Sequence, residues 1–273
     1  MKPVYIIDAL RTPIGKYGGV FSNTRPDDLL AHVLHVLTQR NSSIDITMVE
    51  DILIGCANQA GEDNRNIARM ALLLAGFPVT TAGVTVNRLC ASGMQAIMDA
   101  ARAIQCEEGL LYIAGGVESM TRAPFVIPKS NKAWNRNAEM YDTTLGWRFI
   151  NKKLAAMYYP YSMGETAENI AEQWNISREK QDEFALLSQQ KYFNALQKNK
   201  WNDEIVPVEI EENRTVQWIM KDEQPRETSL SKLNSLPPSF KKNGTVTAGN
   251  SSGINDGASL LLLASEPALR LFQ

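Results

Sequence analysis

The chain has 273 residues, enough for one large domain or two smaller ones with a substantial core. Its 28 Lys and Arg residues nearly balance 30 Asp and Glu residues, without the clustered cations that a nucleic-acid backbone requires. No stretch approaches the roughly 20 apolar residues of a membrane span. Cys56, Cys90 and Cys106 are odd in number and far apart, which excludes a disulfide framework and a dense thiolate zinc site. We therefore expect a soluble, cytoplasmic protein that binds neither nucleic acid nor membrane.

The first part of the chain alternates between strand and helix patterns. Short apolar runs lie between amphipathic stretches with helix start signals, such as the proline and two acidic residues that begin at Pro26. Because strands separated by helices form crossovers, this alternation predicts an α/β domain with a mainly parallel five-stranded sheet and helices on both faces. We predict strands at residues 4–7, 52–55, 84–86, 110–114, 245–247 and 260–263, and helices from 26, at 66–75 and at 92–106.

The middle of the chain differs from the first part in composition and in its strand pattern. Polar and aromatic residues become frequent, and two helices are predicted at residues 165–174 and 178–200, the second with Ser177 as its N-cap. Structureless segments of this length are uncommon inside compact domains, so we expect an inserted α-rich subdomain. The expected division is an α/β domain of residues 1–120 and 244–273 and an insert of residues 121–243.

Residues 84–94 combine the features of a nucleophile site. A strand pattern leads into a tight turn, and Cys90 lies where the next helix begins. A helix N-terminus stabilises a thiolate, the nucleophilic form of cysteine, and reacting groups of parallel α/β sheets collect at the carboxyl ends of strands. The alternative is that Cys90 is a small buried hydrophobic residue, as many free cysteines are.

The helix that follows Cys90 is apolar around about two-thirds of its circumference. Its one polar stripe consists of Gln95, Asp99, Arg102 and Gln105. A surface helix needs only one apolar face, so we expect this helix to be buried on both sides, by the sheet and by a further layer.

Five motifs, in order along nearly the whole chain, resemble those of the thiolases, the acyl-CoA C-acetyltransferases. Residues 87–93, Asn-Arg-Leu-Cys-Ala-Ser-Gly, resemble the nucleophile motif of that family. The other four resemble its opening strand and loop at 8–15, its fourth-strand turn at 115–120, part of its insert at 163–169 and its binding loop at 247–258. Residues 55–64 are similar to the subgroup that includes the 3-oxoadipyl-CoA thiolases.

The resemblance implies an acyltransferase in which Cys90 takes an acyl group from acyl-CoA or 3-ketoacyl-CoA as a thioester. Coenzyme A enters as part of the substrate, and neither a metal ion nor another cofactor is implied. The implied coenzyme A and substrate residues are Met163, Arg226, Phe240, Ala248 and Ser252. Small residues at 248–253 would let a narrow thioester arm approach the backbone, although an ordinary tight turn would use the same residue types.

The sequence also departs from the family pattern. The activating histidine of a Gly-His-Pro motif and the second cysteine of a Cys-x-Gly motif are not found, and the only histidines are His32 and His35 on the first amphipathic helix, where no catalytic role is expected. Ser162 and Gln224 stand where relatives often have histidine. We therefore expect the first half of a thiolase, without its C-terminal half and without full turnover.

Two further hypotheses remain open. The chain is alternatively a non-catalytic module that binds coenzyme A or forms dimers. The family resemblance implies pairing through the strand before Cys90, and exposed apolar surface favours association, so we expect a homodimer or a larger homo-oligomer such as a tetramer.

Overall fold

The structure is a computed structural model that describes residues 2–212 and 214–272. These residues group into two compact units. The sheet unit comprises the residues up to Arg122, Trp201–Glu223 and the residues from Asn255 onward, and the helical unit comprises Ala123–Lys200 and Gln224–Ile254. Among the described residues, no helix is both long and apolar enough to cross a membrane.

The strands and helices alternate along the sheet unit, as the sequence predicts. In chain order the strands are β1 (Val4–Arg11), β2 (Gly15–Lys16), β3 (Asp51–Gly55), β4 (Ala82–Val86), β5 (Leu111–Ser119), β6 (Phe125–Val126), β7 (Tyr141–Asp142), β8 (Val208–Glu212), β9 (Thr215–Ile219) and β10 (Asn255–Ser265). The helices are α1 (Pro26–Arg40), α2 (Ile67–Leu74), α3 (Ser92–Gln105), α4 (Lys152–Met157), α5 (Met163–Gln173), α6 (Arg178–Gln197) and α7 (Leu230–Asn234), with short 3₁₀ helices at Ile46–Met48 and Pro267–Phe272.

Local signals explain where several helices begin. Pro26 occupies the first turn of α1, and Asp27 and Asp28 follow it, where negative charge is favourable. The Asn66 side chain accepts a hydrogen bond from the backbone N–H of Arg69 and caps α2. Ser177 caps α6 in the same way, as predicted.

The main sheet contains one strand that opposes the others. Within the described residues, β1, β10, β5, β3 and β4 lie side by side in that order, and β2 pairs with β10. β3 is parallel to β4 and β5, whereas β10 is antiparallel to β1 and β5. Four of the five strands therefore run in one direction. The antiparallel β10 follows a long excursion of the chain and not a single crossover helix, which is why alternation alone did not reveal its direction.

Helices cover both faces of this sheet, which confirms the predicted α/β class. Ile52 and Ile54 of β3 face the core with α1 and α2, whereas Leu53 between them faces the core with α3. The side chains of β5 and β10 alternate in the same way, as the period of a strand requires.

The outer face of α3 is not covered by the described residues. Ala96, Ala100 and Ile104 are buried against the sheet, but Met94 is 67% exposed and Met98 is 37% exposed. The expected burial on both sides is therefore seen on one side only.

The compact units differ from the expected division at two places. Trp201–Glu223 belongs to the sheet unit because the backbone of Arg11 is hydrogen-bonded to Glu204 and to Val206 at 2.8 Å each. Residues 244–254 belong to the helical unit because side chains of that unit hold them.

The strand predicted at residues 245–247 is wrong. Thr247 makes only an isolated bridge to Pro238. The backbone N–H groups of Thr245 and Val246 instead donate to the carboxylate of Glu168, so a side chain replaces the partner strand.

Candidate active site

Cys90 lies at the N-terminal end of α3 with an exposed thiol. It immediately precedes Ala91, the N-cap residue, which has no side-chain group that can cap the helix. Unpaired backbone N–H groups and the helix dipole favour negative charge at such an end. Because Cys90 is exposed, the buried-residue alternative is wrong, and the thiol lies at a helix end that favours anionic groups.

The turn before α3 has a strained residue next to the cysteine. Leu89 has φ of +50°, in the left-handed region, which costs a non-glycine residue on the order of 1 kcal/mol or more. Its N–H donates to Oδ1 of Asn87 at 2.9 Å, and its carbonyl accepts from Oγ of Ser92 at 2.5 Å. The same Ser92 oxygen accepts from the N–H of Arg88 at 2.8 Å. Side chains on both sides of the turn therefore hold its conformation.

Glycines let the first turn of α3 approach the sheet closely. A Cβ on Gly55, at the end of β3, would overlap the backbone of Ser92 and Gly93. A Cβ on Gly116 of β5 would lie 3.5 Å from the Cα atom of Gly93 in α3 and 3.1 Å from the carbonyl oxygen of Gly55 in the neighbouring strand. The backbones meet directly, so the position of Cys90 above the strand ends is set by main-chain contact.

Glu118, near the end of β5, organises the loop after β3. Its carboxylate accepts the N–H of Ala57 at 2.7 Å and that of Asn58 at 3.2 Å, and the thiol of Cys56 donates to it at 3.7 Å. The carbonyl of Ala57 accepts from Nδ2 of Asn87 at 2.8 Å. A hydrogen-bonded path thus runs from Glu118 to the turn that carries Cys90.

A second carboxyl group lies beside Glu118. Burial, followed by the charge of Glu118, raises the pKa of Asp63 to about 6. Burial also raises the pKa of the Cys56 thiol, which keeps it protonated. These three side chains place possible ligand atoms within 4.8 Å of one another. The Glu118 oxygens also accept the backbone N–H groups of Ala57 and Asn58, so this carboxylate holds the loop after β3.

Neither histidine is placed to accept a proton from Cys90. Both lie on α1, which packs on the sheet face opposite to α3. Nε2 of His32 is 2.8 Å from the carbonyl oxygen of Pro207, and His35 is exposed.

In the helical unit, two buried carboxylates hold the loop that resembles a binding loop. Glu168 of α5 accepts the N–H groups of Thr245 and Val246 at 2.9 and 2.8 Å. Asp182 of α6 accepts from Nδ2 of Asn250 at 2.9 Å. Side chains of α5 and α6 therefore fix the conformation of this loop.

The five residues implied for coenzyme A and substrate are all exposed and all lie in the helical unit. Nη2 of Arg226 donates to the carbonyl of Ala248 at 3.0 Å, which places a cation on the loop. The ring of Phe240 packs against the backbone of Gly164, next to Met163. The Ser252 hydroxyl donates to the neighbouring carbonyl of Gly253 at 3.1 Å.

The two residues that replace family histidines have structural contacts. Ser162 caps α5 and forms a reciprocal capping box with Glu165. Nε2 of Gln224 donates to the carbonyl of Ile254 at 3.2 Å.

Sequence reasoning missed the residues that hold the loops. Glu118 and Glu168 lie inside the family motifs at 115–120 and 163–169, and Asp182 lies in the predicted helix at 178–200, but their partners are up to 78 positions away. The available signal was an acidic residue at the end of an apolar strand or within a helix next to small residues. That signal indicates a buried acid but does not identify its partner.

Comparisons with known proteins agree with the motifs. Residues 4–267 match the family described as "Thiolase, N-terminal domain". A beta-ketoadipyl-CoA thiolase of Escherichia coli is 53% identical over 268 residues, covering 97% of this chain and 67% of that protein. A probable acetyl-CoA acyltransferase of Staphylococcus aureus is 40% identical and is covered to the same extent.

A solved structure shows the same fold. The acetyl-CoA acetyltransferase of Bacillus anthracis superposes with a TM-score of 0.90 at 39% identity, covering 99% of this chain and 68% of that one. The chain thus spans about two-thirds of the length of the relatives that it matches. Motifs, fold and comparisons agree, and the chain belongs to the thiolase family of acyl-CoA acyltransferases, in which it matches the N-terminal domain.

Proposed function

We propose that Cys90 is the nucleophile of a thiolase-type acyl transfer. The observation that carries this proposal is an exposed thiol at the N-terminal end of α3, on a turn whose strained conformation is held from both sides. Cys56 is buried and Cys106 lies at the opposite end of the same helix, so neither has these features.

The proposed step is the transfer of an acyl group between two sulfur atoms. The Cys90 thiolate attacks the carbonyl carbon of the acyl-CoA thioester. The bond from that carbon to the coenzyme A sulfur then breaks, and coenzyme A leaves as a thiolate that takes up a proton. The product is an acyl thioester on Cys90, and a second acceptor completes the transfer.

We propose that the helical unit supplies part of the coenzyme A site through Met163, Arg226, Phe240, Ala248 and Ser252. Arg226 offers a cation for a phosphate group, and the exposed loop around Ala248 offers backbone groups to a narrow pantetheine arm. The buried carboxylates of Glu168 and Asp182 hold the loop in one conformation, so less conformational entropy is lost when a ligand binds.

The relatives' names suggest the first substrates to test. Proteins 50–53% identical to this chain are named beta-ketoadipyl-CoA thiolases, so a 3-ketoacyl-CoA of that type is the first choice. Acetoacetyl-CoA is the second, because the solved relative is named an acetyl-CoA acetyltransferase.

We also propose that this chain by itself lacks full turnover. A general base typically contributes about 10²- to 10⁴-fold to such a reaction, and both histidines of the chain lie on α1, away from Cys90. We further propose that it acts in the cytoplasm and forms a homo-oligomer, supported by its free thiols and by the exposed apolar residues Met94 and Leu89.

The test is to incubate the 273-residue chain with acetyl-CoA and map acyl adducts by peptide mass spectrometry. We expect an acetyl group on Cys90, none on Cys56, and none on any thiol in the Cys90→Ser variant. Binding of coenzyme A without an adduct on Cys90 would instead favour the non-catalytic binding module. Thiolysis at the rate of a full-length relative would contradict the proposed lack of turnover.

A further inference from the structure

The side chain of Asn87 joins two segments that meet beside Cys90. Its Nδ2 donates to the carbonyl of Ala57 at 2.8 Å, and its Oδ1 accepts the N–H of Leu89 at 2.9 Å. The amide of Asn87 can make both bonds because it carries a hydrogen-bond donor and a hydrogen-bond acceptor on one short side chain. An aspartate at this position would lack the donor, and an alanine would lack both groups.

The two segments joined by Asn87 differ in how firmly they are held. The loop at Ala57 is fixed by the carboxylate of Glu118, which accepts its N–H at 2.7 Å, and by the hydrogen bond from the N–H of Cys56 to the carbonyl of Val86 at 3.1 Å. The turn at Leu89, in contrast, is strained, since φ of Leu89 is +50°. Such conformations persist only where neighbouring groups hold them.

We propose that Asn87 is a positioning residue: its amide ties the strained turn at Leu89 to the fixed loop at Ala57 and thereby holds Cys90 at the N-terminal end of α3. This inference rests on the proposed role of Cys90 as the nucleophile. Asn87 is exposed and contributes no buried core surface, so its effect is local to the turn.

The three thiols of the chain provide the measurement. Cys90 reports on the turn, Cys106 at the other end of α3 is an exposed reference, and the buried Cys56 reports unfolding, because it is labelled only if the core opens. Limited alkylation with iodoacetamide at neutral pH, followed by peptide mass spectrometry, gives the ratio of the Cys90 rate to the Cys106 rate in one sample.

We expect Asn87→Ala to lower this ratio about two- to fivefold, the range that corresponds to loss of a helix-terminus interaction. Asn87→Ser keeps an acceptor for the N–H of Leu89 but does not reach the carbonyl of Ala57, so we expect a smaller decrease. Labelling of Cys56 should stay at the wild-type level in both variants, which separates positioning from loss of stability.

The matched control is Asn135→Ala. Oδ1 of Asn135 accepts the N–H of Asn137 at 3.1 Å, the same local motif on an exposed loop, and this variant should leave the ratio unchanged. The positioning role would be overturned if Asn87→Ala left the ratio of the Cys90 rate to the Cys106 rate unchanged or raised it. It would also be overturned if Asn87→Ser had the wild-type ratio. The wild-type ratio separately tests the nucleophile: if Cys90 reacts no faster than Cys106, the proposed function loses its support whatever the Asn87 variants do.

Discussion

Gly55 and Gly93 meet backbone to backbone where α3 begins. A Cβ on Gly55 would overlap the amide nitrogen of Gly93, whereas a Cβ on Gly93 would have its nearest neighbour, the carbonyl oxygen of Gly115, at 3.6 Å. Both glycines lie at this contact, but only Gly93 has room for a side chain. Only Gly55 is required for the close approach of α3 to β3.

This asymmetry predicts opposite effects of the same substitution. Gly55→Ala should lower the free energy of unfolding by about 1–3 kcal/mol, because its methyl group meets backbone that must shift. Gly93→Ala should be neutral or stabilising by about 0.5–1 kcal/mol, because alanine is favoured over glycine in a helix. Urea unfolding of both variants measures the difference, and equal destabilisation would show that α3 does not depend on this contact.

The raised pKa of Asp63 predicts a pH-dependent loss of stability. Its value of about 6 in the folded state lies above the roughly 3.9 of an unfolded chain, so the folded state holds the proton more tightly. The stability linked to this proton is fully present below about pH 4 and is lost as the pH rises through about 6.

Asp63→Asn removes that titration. The change that it causes in the free energy of unfolding should be more favourable at pH 7.5 than at pH 4, by roughly 1–3 kcal/mol. Chemical denaturation at the two pH values measures the difference. A substitution effect of the same size at both pH values would contradict the assignment.

Glu168 and Glu172 occupy successive turns of α5 but differ in burial. Glu168 is 4% exposed and accepts backbone N–H groups of Thr245 and Val246, whereas Glu172 is 72% exposed and pairs with Lys241. Glu168→Ala leaves the two N–H groups without their acceptor and should lower the free energy of unfolding by about 2–4 kcal/mol. It should also weaken coenzyme A binding, because the loop loses its support.

Glu172→Ala is the matched control, and it should leave the melting temperature and the coenzyme A affinity unchanged, since exposed ion pairs contribute little. Thermal melts and calorimetric titration with coenzyme A measure both effects. If the two variants behave alike, the Glu168 carboxylate does not hold the loop.

The exposed face of α3 predicts self-association. Leu89 and Met94 are 72% and 67% exposed, and Val84 and Met98 are 37% exposed each, in one region of the sheet unit. Light scattering should therefore find a homodimer or a larger species. Replacing Met94 and Met98 with glutamate should shift the chain towards monomer, whereas Met220→Glu, which changes a residue 59% exposed just after β9, should not. A wild-type chain that stays monomeric at high concentration would contradict this expectation.

Features that depend on neighbouring residues were predicted well. The starts of α1 at Pro26 and of α6 after Ser177 follow from capping and dipole rules that act within one turn. The family motif around Cys90 likewise predicted its place at the start of α3, because strand, turn and helix are adjacent in sequence.

Features that depend on distant partners were not predicted. The β-branched run at Thr245–Thr247 reads as a strand, but its N–H groups bind a carboxylate from α5, 77 or 78 residues away. The direction of β10 and the attachment of Trp201–Glu223 to the sheet unit are likewise pairings across long separations, which no local pattern encodes.

The sequence by itself determined the family, the α/β class and the place of Cys90 at the start of a helix, because each depends on contiguous motifs or on short periodic patterns. The tertiary structure alone decided that the Cys90 thiol is exposed and that Asn87 connects its turn to a loop held by Glu118. It also decided that Asp63 holds its proton unusually tightly. The physical reason is that exposure, strain and proton affinity depend on which groups fold against a residue, and those groups come from distant parts of the chain.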